Sequence, residues 1–216
     1  MPGIRRNRSS DSYGWNESAR RYVNLTTGRF VPFQAVRDEL EKVVTASKLE
    51  MRAVSQQLVN GEITLAQWQL AMERGVKTVQ VASAVAARGG WAQMTQSDWG
   101  AVGAETKRQY EYLRRFAGEI ASGKQPLNGR LVVRAELYGE AGIGAFEQMR
   151  RRVMGARFER RVLGAAEHCP DCIRFAALGW QPAGFLPRIG ESRCRVHCRC
   201  RFEFANELPG RDAINE

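Results

Sequence analysis

Apolar positions recur at steps of three or four along residues 32–60, where Val36, Leu40, Val43, Ser47, Met51, Val54 and Leu58 fall on one stripe. That is the spacing of a helix with one buried face, and Gly61 stops it. Beyond Thr64, placed as an N-cap, a second stripe runs through Leu65, Trp68, Met72, Val76 and Val79 into an alanine-rich stretch ending at Gly89 and Gly90. Trp68 reads as core. A third pattern takes Ser97 as its cap and aligns Trp99, Val102, Tyr110, Leu113, Ala117 and Ile120 before Gly123, with Gly100 and Gly103 loosening its first turn. After a turn marked by Pro126 and Asn128-Gly129, a fourth runs from Leu131 through Ala135, Tyr138, Ala145, Phe146 and Met149 to Val153. The glycine-rich "GEAGIG" in its interior makes it the weakest helix pattern of the four.

The flanks lack this periodicity. Residues 1–30 carry Arg5, Arg6, Arg8, Arg20, Arg21 and Arg29 among small polar residues, which predicts an extended basic arm. Its Trp15, Tyr22 and Phe30 suit docking on a neighbouring subunit, and its arginines suit a phosphate backbone. Toward the other end, Gly179, Pro182, Gly184, Pro187 and Gly190 punctuate the chain too often for a helix after "IRFAAL", so a loop anchored by Trp180, Phe185 and Leu186 is expected. The predicted fold is mainly α: a helical body of about four helices at 31–160, the arm at 1–30, a small C-terminal α+β lobe at 161–206 and a tail at 207–216.

Composition adds a charge argument. The 216 residues hold 33 Lys and Arg against 23 Asp and Glu, a formal charge of +10, and 44% apolar residues suffice for a core. A surplus of this size favours polyanions or acidic protein surfaces. "MRRRVMGARFERR" places six arginines within thirteen residues, and Arg150, Arg151 and Arg152, with Arg5, Arg6 and Arg8, are the candidate contacts to nucleic acid or an acidic partner. No apolar run approaches the roughly 18–20 residues of a membrane helix, and the N-terminus lacks the apolar middle of a signal peptide, so synthesis in the cytoplasm is expected.

All five cysteines and both histidines fall between residues 167 and 204. In a reducing compartment an odd number of cysteines argues against a disulfide framework. A thioredoxin-like reading of "CPDC" lacks its βαβ context. A cysteine nucleophile lacks a histidine from elsewhere in the chain, and a His-Asn-His nuclease would need more histidines than two. Metal spacing fits best: Cys169 and Cys172 form one half of a tetrahedral zinc site, and about twenty residues later Cys194 and Cys198 supply the other. Cys200 is the alternate ligand, since Cys198 and Cys200 would share one side of a strand. His168 and His197, each beside a cysteine, read as spectators. The zinc is structural, because a lobe this small has too little apolar area to fold alone.

These residues also carry a resemblance. "LGAAEHCPDCIRFAALGWQPAGFLPRIGESRCRVHCRCRFEF" resembles the C-terminal signature of tailed-phage minor head (head morphogenesis) proteins, a C-x-x-C, a Gly- and Pro-rich loop and a terminal C-R-C before a strand. "RRYVNLTTGRFVPFQAVRDEL", "LVNGEITLAQWQLAM" and "LNGRLVVRAELYGEAG" are similar to the helical body of the same family. Where many members have a histidine three residues before the C-R-C, this chain has Arg195, with Cys194 one residue earlier. The resemblance implies a non-enzymatic virion protein acting in head assembly. Its implied partners are portal, major capsid or neck proteins, further copies of itself and packaged double-stranded DNA, and its implied place is the head or head-tail junction. The alternative reading from the residues is a DNA-binding zinc-ribbon protein, regulatory or nuclease-like.

Overall fold

In the computed structural model, residues 13–194 and 197–208 are described. Arg5, Arg6, Arg8 and most of the expected tail lie outside the described residues. The chain is mainly helical, with two small sheets.

Helix α1, Phe33–Val59, buries Val36, Leu40, Val44, Ser47, Met51, Ser55 and Leu58. Val44 and Ser55 replace the expected Val43 and Val54, and Ser55 has a specific reason to face inward. Its hydroxyl accepts the indole N–H of Trp68 at 2.9 Å, satisfying a polar atom on a fully buried ring. Trp68 belongs to α2, Leu65–Arg88, which starts at Thr64 with a reciprocal pair of hydrogen bonds to Gln67. Helix α3, Gln96–Ala121, starts two residues earlier than expected. Thr95 is the cap, accepting from the Asp98 N–H while the Asp98 carboxylate accepts from the Thr95 N–H at 3.0 Å. Ser97, the expected cap, instead accepts from Arg152 at 2.7 Å.

The fourth expected helix is two, α4 (Gly129–Glu140) and α5 (Gly142–Val153), meeting at Ala141. The glycines that weakened its pattern are points of close approach. A Cβ on Gly139 would lie 2.9 Å from the Lys48 backbone nitrogen on α1, and one on Gly142 would lie 2.6 Å from the Ser83 hydroxyl on α2. Small residues here let α1 and α2 pack tightly against the α4–α5 joint, which bigger side chains would push apart. One core cluster gathers Met51, Trp68, Leu113, Phe116 and Leu131; a second gathers Val36, Leu40, Ala87 and Phe146.

The second half of the expected arm is a folded part of this body. Strands β1 (Tyr13–Asn16) and β2 (Arg21–Asn24) form an antiparallel hairpin. Tyr13 and Tyr22 are buried, donating to the carbonyls of Ala86 and Ala87 at 3.0 and 2.5 Å. These are carbonyls of the last turn of α2, which have no partner within the helix, so the tyrosines satisfy them. Burial first of all raises both phenols well above their ordinary range. The aromatics expected to dock on a neighbour thus dock on the chain itself, with Trp15 edge-on to Tyr22 at 5.1 Å. Phe30 alone stays exposed, under the Arg21 guanidinium at 5.1 Å.

The C-terminal lobe is built on β3 (Phe158–Val162), central in an antiparallel sheet between β4 (Gln181–Pro182) and β5 (Arg201–Ala205), with α6 (Pro170–Ala177) between β3 and β4 in sequence. Two charged side chains of β3, Glu159 and Arg161, point inward and are fully buried. The lobe is fastened to the body through α5. Glu147 accepts from Arg150 at 2.8 Å, while Arg150 also donates to the Phe202 carbonyl at 3.4 Å and lies over the ring of Phe33, 4.0 Å from its centroid.

Candidate metal centre

The two halves of the cysteine pattern come from different elements and meet. Cys169 is the N-cap of α6, with Pro170 in the first turn, where a missing N–H costs nothing. One turn on, Cys172 points into the lobe and is fully buried. The second half lies just before β5: Cys194 half-buried, Cys198 and Cys200 buried.

The sulfurs of Cys169, Cys172 and Cys194 lie within 4.8 Å of one another, as do those of Cys172, Cys198 and Cys200. Cys172 is common to both groups. Its sulfur is 3.5 Å from Cys194 and 3.6 Å from Cys198. Four thiolates around one zinc at about 2.3 Å would be separated by about 3.8 Å, so the spacing suits a shared ion. It is far too long for a disulfide, whose sulfurs are about 2 Å apart, and all five cysteines are free. The cluster could hold a metal ion.

Electrostatics divide the five thiols. The N–H of Cys172, at the start of α6, and the neighbouring thiols draw Cys169 down to about 7, although burial works against it. Burial also opposes charge on Cys198, but the Cys200 N–H and adjacent thiols outweigh it and lower that group too. Burial, with the nearby thiols, pushes Cys194 and Cys200 well above the ordinary thiol range; Cys172 is raised by burial. Five sulfurs this close cannot all carry charge alone, and a divalent cation is the group that removes that repulsion.

One residue that the sequence reading passed over bears on the site. Arg161, counted there only as part of a basic cluster, is buried beneath the cysteines. It donates to the Cys198 sulfur at 3.7 Å and to the Pro187 carbonyl, and its guanidinium lies 4.9 Å from the centre of the Phe202 ring. A full positive charge here offsets thiolate charge. Strand periodicity in "FERRV" was the available signal, since it alternates Glu159 and Arg161 onto one face.

His168 donates through Nε2 to the Gly164 carbonyl, 2.7 Å away, and its Nδ1 is 3.7 Å from the Cys200 sulfur. His197 is exposed, 3.7 Å from Glu140. Neither joins a group of mutually close ligand atoms. Of the three loop anchors, Leu186 is buried and Trp180 half-buried beneath Arg160, but Phe185 is 63% exposed.

Among the arginines of α5, Arg150 departs from the expectation of contact with a phosphate or acidic partner. Arg150 is buried and committed to Glu147 and three aromatic rings. Arg151 approaches Glu159 at 3.8 Å, and Arg152 holds Ser97 and approaches Asp98 at 3.6 Å. Part of the arginine density serves an interface within the chain, between α5, α3 and the lobe, while Arg151 and Arg152 stay partly exposed. Comparison with known proteins found no match to a family model, a curated sequence or a solved structure.

Proposed function

We propose that the chain is a structural protein of a tailed-bacteriophage particle, a minor head protein acting in head assembly at or near the portal, capsid or neck. In this reading Cys169, Cys172, Cys194 and Cys198 hold a structural zinc ion, with Cys200 as the alternate ligand. The observation that carries the reading is that the resemblance-bearing segment, "CPDC" to "CRC", is one physical unit: its sulfurs converge and also form half of the lobe's own buried cluster, with Leu186, Ile189 and Phe202. An ion enclosed by four protein sulfurs has no coordination place left for a substrate or an attacking water, which suits a clamp and not a catalyst.

The clamp holds a lobe joined to the helical body by Arg150 and by Ile143, which packs on the lobe's buried cluster. Such a two-part surface suits assembly, and the partners in this reading are portal, major capsid or neck subunits, with packaged DNA as a further contact. The test is to purify particles and assay them for this chain by mass spectrometry, with the metal measured in the isolated chain. Presence in the particle at low copy with zinc supports the proposal. A chain absent from particles, or one that binds or cleaves naked duplex with sequence specificity, overturns it in favour of a DNA-binding zinc protein.

A further inference from the structure

Away from the cysteines, a cleft of about 320 Å³ opens between α2, α3, α5 and the loop before Ile189. Its lining includes the apolar Ala84, Val102, Ala145 and Met149 and the amides of Gln80 and Gln148. Gln80 on α2 is only 1% exposed, yet neither its amide nitrogen nor its amide oxygen has a hydrogen-bond partner among the described residues. A buried amide left without partners is destabilising, so an amide in the lining of a cleft points to something that occupies the cleft.

The mouth says what kind of group that is. Arg108 on α3, Arg151 and Arg152 on α5 and Arg188 on the loop all line it, against the single carboxylate of Glu105. Arg108 and Arg188 share that carboxylate, each at 2.7 Å, and Arg108 also reaches Glu191, outside the cleft, at 3.2 Å. Arg151 and Arg152 reach carboxylates outside the cleft only at 3.8 and 3.6 Å, and Arg152 also donates to the Ser97 hydroxyl at 2.7 Å. The Nε of Arg108 is buried without a partner. Four guanidiniums from three elements around one carboxylate leave a surplus of fork-shaped donors, the chemistry that recognises tetrahedral phosphate oxygens.

We propose that this cleft is a binding site for a small phosphate-bearing anion with at least two phosphate groups, held by Arg108, Arg151, Arg152 and Arg188 over the amide of Gln80. The probe is inorganic pyrophosphate, titrated calorimetrically into the full chain at constant ionic strength, beside sulfate and a twelve-base-pair duplex. Saturable one-to-one pyrophosphate binding, tighter than sulfate and not displaced by the duplex, is expected. Arg188→Gln should weaken it roughly tenfold or more, the scale of one lost charge-assisted bond. Gln80→Leu, which replaces an unpartnered amide by an apolar group of similar size, should keep the fold and weaken binding severalfold. No saturable binding, binding of the duplex alone, or equal affinity in wild type and both variants would overturn the proposal.

Discussion

Arg150 and Glu147 meet at 2.8 Å, three residues apart on α5, with side chains 9% and 1% exposed. This pair joins lobe to body, since the same guanidinium donates to the Phe202 carbonyl of β5 at 3.4 Å and covers Phe33 of α1. Removing one member of a buried pair strands the other. Glu147→Leu is expected to lose about 3–5 kcal/mol in urea unfolding. The double variant Glu147→Leu/Arg150→Met should recover most of that, because no charge is left buried. Equal losses in single and double variants would show that packing, and not the ion pair, is what matters at the joint.

The hairpin gives a second test. Gly89 has φ of +96°, and a Cβ there would come within 2.7 Å of the Gly14 Cα. Gly89→Ala should cost about 1–3 kcal/mol through strain and displacement of β1. Tyr22→Phe, which leaves the Ala87 carbonyl without its donor, should cost about 1–2 kcal/mol. Thermal unfolding of each variant checks both. A melting curve for Gly89→Ala that overlays the wild type would mean that the hairpin is not packed against α2 in solution.

Much of the helical body was legible because helix periodicity is a strong local signal: Trp68, Met72 and Leu113 are core as their spacing implied. What was not legible depended on partners distant in sequence. The hairpin escaped notice because its two strands are four residues each and its tyrosines find their acceptors more than sixty residues away. The glycines at 139 and 142 looked like helix breakers until the neighbouring helices that need the space were known. Arg150 and Arg161 looked like surface charge because local sequence does not reveal the aromatic rings and sulfurs that surround them.

Asp98 supplies the pH dependence. Burial works against its charge, but the Thr95 N–H and hydroxyl, then Arg88 and Arg152, outweigh it and hold the carboxyl below its ordinary value of 3.8. A depressed folded-state value means that the carboxylate stabilises the fold above about that pH and that this contribution disappears as pH falls through the folded value. Asp98→Asn should cost about 1 kcal/mol at neutral pH and flatten the acid limb of the stability profile. A parallel acid limb in the variant would assign the slope to other carboxylates.

Arg161 tests the electrostatics of the cysteine cluster. Arg161→Met keeps length and apolar contact with Phe202 while deleting the charge beside Cys198. Zinc should be lost at lower chelator concentration than in wild type, because thiolate charge is then less compensated. An unchanged chelator midpoint would make Arg161 a packing residue only.

The central claim is that the cysteines hold one structural zinc, and native mass spectrometry of the purified chain beside its Cys172→Ser and Cys200→Ser variants tests it most directly. Cys172 is the sulfur common to both close groups, whereas Cys200 is close to only one of them. The account predicts one zinc per chain in the wild type and in Cys200→Ser, and none in Cys172→Ser, whose lobe should unfold with it. A wild-type chain that is folded, fully reduced and free of metal would contradict the account.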